Sequence, residues 1–306
     1  LERLKDAKKS TKEEIEAVVL AINRTSYADV SKGKMKRTLK QFITWLTNSD
    51  ELVKWIKADE GRKKKKLPEE MLDEDDIKLL IEGCRNSRDR AIISLLYDSG
   101  LRAGELLSLR MKDITLNDKL CYLMVSHETK TGARRVPLIF SIPYITGYLN
   151  EMRNNAKPDD PFLIRFDKNW NPTNLFYDYK DLRKLLHNLK TRTKMQKRLY
   201  PHLFRHSRAT YYARNMTEQQ MKIFFGWTGG SDMPDTYTHL SGRDVDDAVL
   251  KANGIVKVDE IAKPKLSIRE CFKCHEKNGA AGKYCIRCGS SLNPLDAIND
   301  DREIRE

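Results

Sequence analysis

The stretch RLYPHLFRHSRATYY, residues 198–212, concentrates side chains that bind oxyanions. His202 and Arg205 are three residues apart on a predicted helix that begins at Pro201, so they share one helical face. A guanidinium group is planar and can donate two parallel hydrogen bonds to a phosphate or carboxylate. The spacing therefore predicts an anion site on this helix.

Residues elsewhere in the chain supply the other groups that a phosphoryl-transfer site needs. They are Arg102 and Glu105, at helical i,i+3 spacing, Lys130 in a predicted hairpin turn, Trp227 at the end of a predicted helix, and Tyr237. When a phosphodiester is attacked, charge grows on its two non-bridging oxygens, which fixed guanidinium groups can hold. A tyrosine oxygen can be the nucleophile, and a lysine can protonate the leaving alcohol. The set predicts phosphodiester cleavage.

Several of these residues also have an ordinary structural interpretation. Arg102 and Glu105 could form an exposed helix ion pair, which contributes less than ~1 kcal/mol. Tyr211 and Tyr212 compete with the proposed nucleophile, but they follow Ala-Thr in the middle of a predicted helix, which favours packed aromatic residues. His206 is interpreted as a residue that packs the helix or supports the catalytic side chains rather than as a catalyst.

The charge of the chain indicates a polyanionic partner. Its 306 residues include 57 Lys+Arg and 44 Asp+Glu, a formal net charge of +13. Nucleic acid is the first interpretation of such an excess and an anionic membrane surface the second. No apolar run approaches the ~18 residues of a membrane span, and no signal peptide opens the sequence. We therefore expect a cytoplasmic, nucleoid-associated protein without a membrane partner. Since the sequence starts at Leu1 and not at Met, we also expect its N-terminal domain to be truncated.

Four cysteines form two CxxC pairs near the C-terminus, Cys271 with Cys274 and Cys285 with Cys288. Paired CxxC turns present four thiolates to one Zn²⁺, and the segment is too short to bury a core without metal. Disulfides or a redox pair are the alternatives, but nothing indicates secretion and one CxxC suffices for redox chemistry. The spacing predicts one structural zinc ion per chain, with no water at the metal.

The hydrophobic pattern predicts a mainly α fold with a small antiparallel β-sheet, of the α+β class. Alternation on either side of Thr131-Gly132 predicts a β-hairpin. Helical periodicity predicts helices in the first 60 residues, in RDRAIISLLYDSG, and near 143–155, 177–192, 201–214 and 217–225. The predicted domains are an N-terminal helical domain at 1–62, a larger domain at 63–258, a zinc ribbon at 264–295 and an acidic tail at 296–306.

Four segments, in order, resemble the conserved boxes of the tyrosine recombinases, which include phage integrases and Xer-type recombinases. They are SGLRAGELLSL, KTGARRVPL, HLFRHSRAT and FFGWTGGSDMPDTYTH. The resemblance covers residues 67 to about 250. It implies the tyrosine recombinase catalytic fold of a prokaryotic, Xer-like enzyme, here preceded by a small helical core-binding domain that binds DNA and followed by the zinc ribbon.

The resemblance also implies a role for each candidate residue. The bond energy would be kept in a 3′-phosphotyrosine, so neither ATP nor a catalytic metal would be needed. The implied roles are a phosphate clamp for Arg102 and Arg205, an orienting carboxylate for Glu105, the general acid for Lys130, assistance in proton transfer for His202, a phosphate hydrogen bond for Trp227, and the nucleophile for Tyr237.

Three functions follow as hypotheses. The first is a site-specific recombinase or integrase that acts on double-stranded DNA as the homotetramer expected of the family. The second is a type IB topoisomerase, which shares the chemistry but acts as a monomer. The third is a catalytically silent DNA-binding protein on the same scaffold. The compact four-box layout favours the first, and the intact set of catalytic residue types argues against the third.

Overall fold

A computed structural model describes residues 9–58, 70–117, 120–125, 133–169, 171–238, 265–271 and 273–293. The chain forms two compact units, Leu1–Lys66 and Leu67–Glu306. Helices dominate both, and the strands form small antiparallel sheets, so the predicted fold class is confirmed. Within the described ranges, no helix combines the length and the apolar character that crossing a membrane requires.

The first unit contains the two helices that its periodicity predicts, α1 (Lys12–Arg24) and α2 (Asp29–Thr47). Thr11 and Glu14 form a capping box at the start of α1, each side chain bonding the other residue's backbone N–H. The apolar faces of both helices enclose a small core of their own, made of Ile15, Val19, Leu39, Ile43, Val53 and Ile56.

The second unit contains eight α-helices and seven strands among its described residues. The helices are α3 (Glu74–Glu82), α4 (Ser87–Ser99), α5 (Ala103–Leu107), α6 (Ile142–Met152), α7 (Tyr179–Thr193), α8 (Pro201–Tyr212), α9 (Glu218–Phe225) and α10 (Met233–Thr238). The strands are β1 (Ile114–Leu116), β2 (Cys121–Val125), β3 (Arg134–Leu138), β4 (Ile164–Phe166), β5 (Pro172–Phe176), β6 (Arg269–Glu270) and β7 (Lys277–Asn278).

Helix α4 lies at the centre of this unit. Eleven of its thirteen residues are buried, and it packs against α3, α6 and α8. Gly100 ends it in the left-handed conformation, with φ of +57°, and a Cβ atom there would lie 2.6 Å from the ring of Phe225. Only glycine fits this turn without strain. The turn brings α5, and with it Arg102, beside the end of α9.

The predicted hairpin is present as strands β2 and β3, which pair antiparallel with Cys121 opposite Leu138 and Val125 opposite Arg134. The structure adds a third strand, β1, on the outer side of β2, and a second hairpin, β4–β5, that the sequence did not predict. The predicted turn at Thr131-Gly132, the predicted general acid Lys130 and the acidic tail at 296–306 lie outside the described residues.

Candidate active site

Arg205 occupies the middle of the site and is almost fully buried, with 2% of its surface exposed. Its Nη1 donates to the carbonyl of Gly100 at 2.9 Å and its Nη2 to the carbonyl of Phe225 at 2.6 Å. Burial and the neighbouring charge of Arg102 lower the pKa of Arg205 to about 9, which still leaves it charged at neutral pH. A buried cation held near another cation favours an anion at this position.

Glu105 is paired with Arg102 as the i,i+3 spacing predicts, but the pair is not the exposed surface pair of the alternative interpretation. Glu105 is 5% exposed and accepts from both the backbone N–H and Nη1 of Arg102, each at 2.8 Å. Burial alone would raise the pKa of Glu105, but hydrogen bonds from Arg134 and Arg102 lower it to about 2. Glu105 is therefore a carboxylate throughout the physiological pH range.

Arg134 is a site residue that the sequence interpretation missed. It begins β3, is 8% exposed, and donates from Nη1 and Nη2 to the two carboxylate oxygens of Glu105 at 3.0 and 2.9 Å. A signal was present in the strand pattern, because alternation places Arg134 on the same buried face as Val136 and Leu138. Such a position usually holds an apolar residue, so an arginine there requires a buried partner.

Tyr237 lies on α10 and is 2% exposed. Its ring stacks on Trp227, with centroids 5.7 Å apart and planes 3° from parallel. Its hydroxyl is hydrogen-bonded to Nδ1 of His206. Burial raises the pKa of Tyr237 to about 12, and the positive charge of Arg205 opposes that rise. The predicted nucleophile is thus held beside the arginine cluster, with its oxygen on an imidazole nitrogen.

The two histidines of α8 differ in position. His202 is exposed, and its ring packs edge-on against His206 with centroids 4.5 Å apart. His206, which the sequence interpretation assigned to helix packing or to support of the catalytic side chains, is the residue in contact with the Tyr237 hydroxyl. The contact spans 31 positions of the chain, so helical spacing alone gave no sign of it.

Trp227 stands between two aromatic rings. It stacks on Phe225 with centroids 4.9 Å apart on one side and on Tyr237 on the other. The guanidinium of Arg205 lies 5.7 Å from its ring centroid, within the range of a cation–π contact. The indole ring therefore orders the nucleophile and the arginine relative to each other.

Tyr211 and Tyr212 pack as aromatic residues. The guanidinium of Arg208 lies over both rings, 4.9 and 4.2 Å from their centroids, and donates to the Tyr212 hydroxyl at 2.7 Å. Arg208 also pairs with the buried Asp98 at 2.8 Å. These contacts give both tyrosines a structural role on α8.

The four predicted metal ligands converge. The sulfur atoms of Cys271, Cys274, Cys285 and Cys288 all lie within 4.8 Å of one another. The Cys271–Cys288 and Cys274–Cys285 sulfur distances are 3.6 and 3.5 Å, much longer than a disulfide bond. Four sulfurs about 2.3 Å from one Zn²⁺ would lie about 3.8 Å apart, so this donor set fits a tetrahedral metal ion.

The cysteine cluster belongs to the second compact unit and lies against helices α3 and α6. The ring of Tyr144 on α6 fills the space beside Gly279, where a Cβ atom would approach its hydroxyl oxygen to 2.3 Å. Lys265 donates from its backbone N–H to Glu74 at 2.7 Å and pairs with Asp75 at 2.5 Å. These contacts attach the segment to the helical body.

The sequence profile of the phage integrase family matches residues 70–243, more than half of the chain and all of the residues of the arginine and tyrosine cluster. The chain belongs to the phage integrase family. The resemblance to tyrosine recombinases that the four boxes indicated is therefore confirmed.

Similar proteins include "Tyrosine recombinase XerA" of Saccharolobus solfataricus, 28% identical over 262 residues that cover 81% of this chain and 80% of the relative. "Tyrosine recombinase XerC" of Halalkalibacterium halodurans is 25% identical over 237 residues, 70% of this chain and 73% of the relative. Among solved structures, XerH site-specific recombinase bound to palindromic difH substrate matches with a TM-score of 0.59 at 17% identity, covering 81% of this chain and 73% of that one. At that identity the structural match shows the shared fold.

Proposed function

We propose that this phage integrase family chain is a site-specific DNA recombinase that cuts and rejoins double-stranded DNA through a 3′-phosphotyrosine at Tyr237. One observation carries the proposal. The guanidinium groups of Arg102 and Arg134 donate to the carboxylate of Glu105, and the buried guanidinium of Arg205 lies near these charges and near Tyr237. These four charged groups hold two more positive charges than negative ones, which suits a phosphate whose charge grows as it is attacked.

The cleavage step can be written for these residues. The oxygen of Tyr237 bonds to phosphorus while its proton passes to Nδ1 of His206. The ring of His202, which packs edge-on against that of His206, assists this proton transfer. The bond from phosphorus to the 5′-oxygen breaks, and that oxygen takes a proton from Lys130. Arg102 and Arg205 hold the non-bridging oxygens, Glu105 orients Arg102, and Trp227 orders the nucleophile.

Rejoining reverses these steps. A free 5′-hydroxyl attacks the phosphotyrosine, the phosphodiester forms again, and Tyr237 leaves. Because the phosphotyrosine ester retains the energy of the broken bond, the proposed cycle uses no ATP. The two arginines supply the positive charge that stabilises the transition state, so the proposed cycle also uses no catalytic metal.

Support for a DNA partner comes from charge and from relatives. The chain has a net charge of +13, which favours binding to a phosphate backbone. The similar XerH structure is a complex with its difH substrate, and the similar Tn1549 transposon integrase is a complex with circular intermediate DNA. We propose that this chain assembles as a homotetramer on duplex DNA in the cytoplasm, in association with the nucleoid. Its relatives are recombinases, which disfavours topoisomerase and silent-binder alternatives.

A library of suicide duplexes tests this function. Each duplex carries a nick near a randomised cleavage position, so that the short 5′-hydroxyl fragment diffuses away and the covalent adduct accumulates. We expect adducts with a restricted set of sequences, identified by sequencing the protein-bound strand. Noncovalent binding to every duplex without any adduct would favour the silent DNA-binding alternative, and adducts without sequence preference would favour the topoisomerase.

The contact between His206 and Tyr237 predicts a large effect of His206→Ala. Removing the proton acceptor should lower the single-turnover rate of adduct formation by about 10²-fold or more, with DNA affinity retained. His187→Ala, at an exposed position on α7, is the matched control and should cleave at the wild-type rate. Equal rates for the two variants would show that His206 has no part in proton transfer.

We also propose that Cys271, Cys274, Cys285 and Cys288 bind one structural Zn²⁺ per chain. Four thiolates would fill the coordination sphere and leave no position for water. Mass spectrometry of freshly reduced protein should find one equivalent of zinc, and Cys285→Ser should lose it. Cys84→Ala, which removes a buried thiol of the helical core, should keep it. Zinc-free wild-type protein, prepared without chelator, would contradict the assignment.

A further inference from the structure

The C-terminal end of α9 presents three successive backbone carbonyls, and each accepts a hydrogen bond from a different arginine. The pairs are Phe224 with Nε of Arg134 at 3.1 Å, Phe225 with Nη2 of Arg205 at 2.6 Å, and Gly226 with Nη2 of Arg102 at 3.4 Å. Carbonyls at a helix C-terminus have no partner within the helix and carry partial negative charge. The end of α9 therefore sets the spacing of all three guanidinium groups.

Arg134 connects this helix end to Glu105. Its Nε bonds α9 while its two Nη atoms bond both oxygens of Glu105, and both partners of the pair are buried. Each oxygen of Glu105 then receives one donor from Arg134 and one from Arg102. Four donors fix the carboxylate, so its orientation depends on Arg134 as much as on Arg102.

Gly226 lies against the guanidinium group of Arg134 and leaves room for it because it has no side chain. This glycine has φ of +60°, and a Cβ atom there would lie 2.7 Å from Nη1 of Arg134. The guanidinium thus fits directly beneath the turn from which Trp227 extends. A side chain of another shape at position 134 would alter the turn at Gly226, the orientation of the Glu105 carboxylate, or both.

We propose that Arg134 is a positioning residue of the recombination reaction, which fixes Glu105 and the end of α9 so that Arg102 and Arg205 meet the phosphate at a set separation. The inference rests on the proposed function, because it assigns a role in phosphodiester cleavage. Arg134 itself touches neither phosphate nor nucleophile in this role. Its effect passes through the carboxylate and the carbonyls that hold the two clamp arginines.

Two substitutions separate the parts of this role. Arg134→Met keeps most of the volume but removes the charge and all three donors, leaving Glu105 buried with Arg102 as its ionic partner and Arg205 nearby. Burial should then raise the pKa of Glu105, so cleavage should fall as the pH is lowered from neutral. Arg134→Lys keeps the charge but loses the planar fork, so it should cleave slowly without the added acid dependence.

The experiment measures the single-turnover rate of adduct formation on a suicide duplex at several pH values from about 5 to about 8. Arg135→Met is the matched control, because Arg135 is the next residue of β3, is exposed, and lies over the Tyr122 ring. We expect Arg134→Met to react about 10²-fold more slowly than this control at neutral pH, with DNA affinity retained. Added methylguanidinium should restore part of the rate to Arg134→Ala but not change Arg135→Ala.

The outcomes distinguish the inference from the function it rests on. Adducts from wild-type protein, together with equal rates for Arg134→Met and Arg135→Met, would overturn the positioning role alone. A rate loss with the same pH profile in the Met and Lys variants and no rescue would overturn it too, by indicating a general loss of packing. If Arg134→Met does not fold, a wild-type rate for Arg134→Lys would overturn the positioning role instead. No adduct from wild-type protein on any duplex would overturn both.

Discussion

Tyr237→Phe should abolish covalent capture of DNA while leaving the affinity for duplex DNA unchanged. The substitution deletes one oxygen and keeps the ring that stacks on Trp227, so α10 should pack as before. The hydrogen bond to His206 is lost along with the nucleophile. The measurement is a denaturing gel of protein incubated with a suicide duplex, beside a binding titration with the same duplex.

Tyr211→Phe is the control for this experiment, because Tyr211 lies on α8 under the Arg208 guanidinium. It should form adduct at the wild-type level. Adduct that survives denaturation in Tyr237→Phe would show that another residue is the nucleophile, and Tyr211 and Tyr212 would be the next candidates. Adduct lost in both variants would implicate packing of α8 rather than one oxygen.

Arg205→Lys should lower the cleavage rate steeply although it keeps the positive charge. A lysine cannot donate to the carbonyls of Gly100 and Phe225 and also present a planar fork to the phosphate. Loss of an oxyanion donor of this kind typically costs ~10²-fold or more in rate. The measurement is the single-turnover rate on a suicide duplex at saturating protein.

Arg214→Lys is the control, since Arg214 is exposed just beyond the end of α8. It should cleave as wild type does. A near-normal rate for Arg205→Lys would reduce Arg205 to a contact that merely places the phosphate. A loss of DNA affinity without a loss of rate at saturating protein would have the same meaning, because losing transition-state stabilisation lowers the rate of the bound complex.

The helices of the fold could be predicted because their signals are local. Gly100, the last residue of RDRAIISLLYDSG, ends α4 in the left-handed conformation, and Thr217 with Gln220 forms the capping box that starts α9. Strand β1 could not be predicted, since three residues give no measurable alternation. The β4–β5 hairpin was missed because Pro172 begins a strand whose pattern does not alternate regularly.

The residues of the candidate site also divide into those that the sequence predicted and those that it did not. The pair of Arg102 and Glu105 follows from i,i+3 spacing, and the structure places it at 2.8 Å. By contrast, Arg134 meets Glu105 across 29 positions and His206 meets Tyr237 across 31, distances in sequence that only tertiary packing closes. Residue types and family boxes indicate the groups proposed to touch the phosphate, whereas the groups that hold them in place are brought there by tertiary packing.

The most direct measurement of the proposed chemistry is the site of covalent attachment. Wild-type protein is trapped on a nicked duplex, digested with protease and nuclease, and its peptides are weighed by mass spectrometry. We predict that the peptide containing Tyr237 carries a nucleotide linked through its 3′-phosphate, and that the released strand ends in a 5′-hydroxyl. A nucleotide on any other residue, or a 5′-phosphate on the released strand, would contradict the proposed reaction.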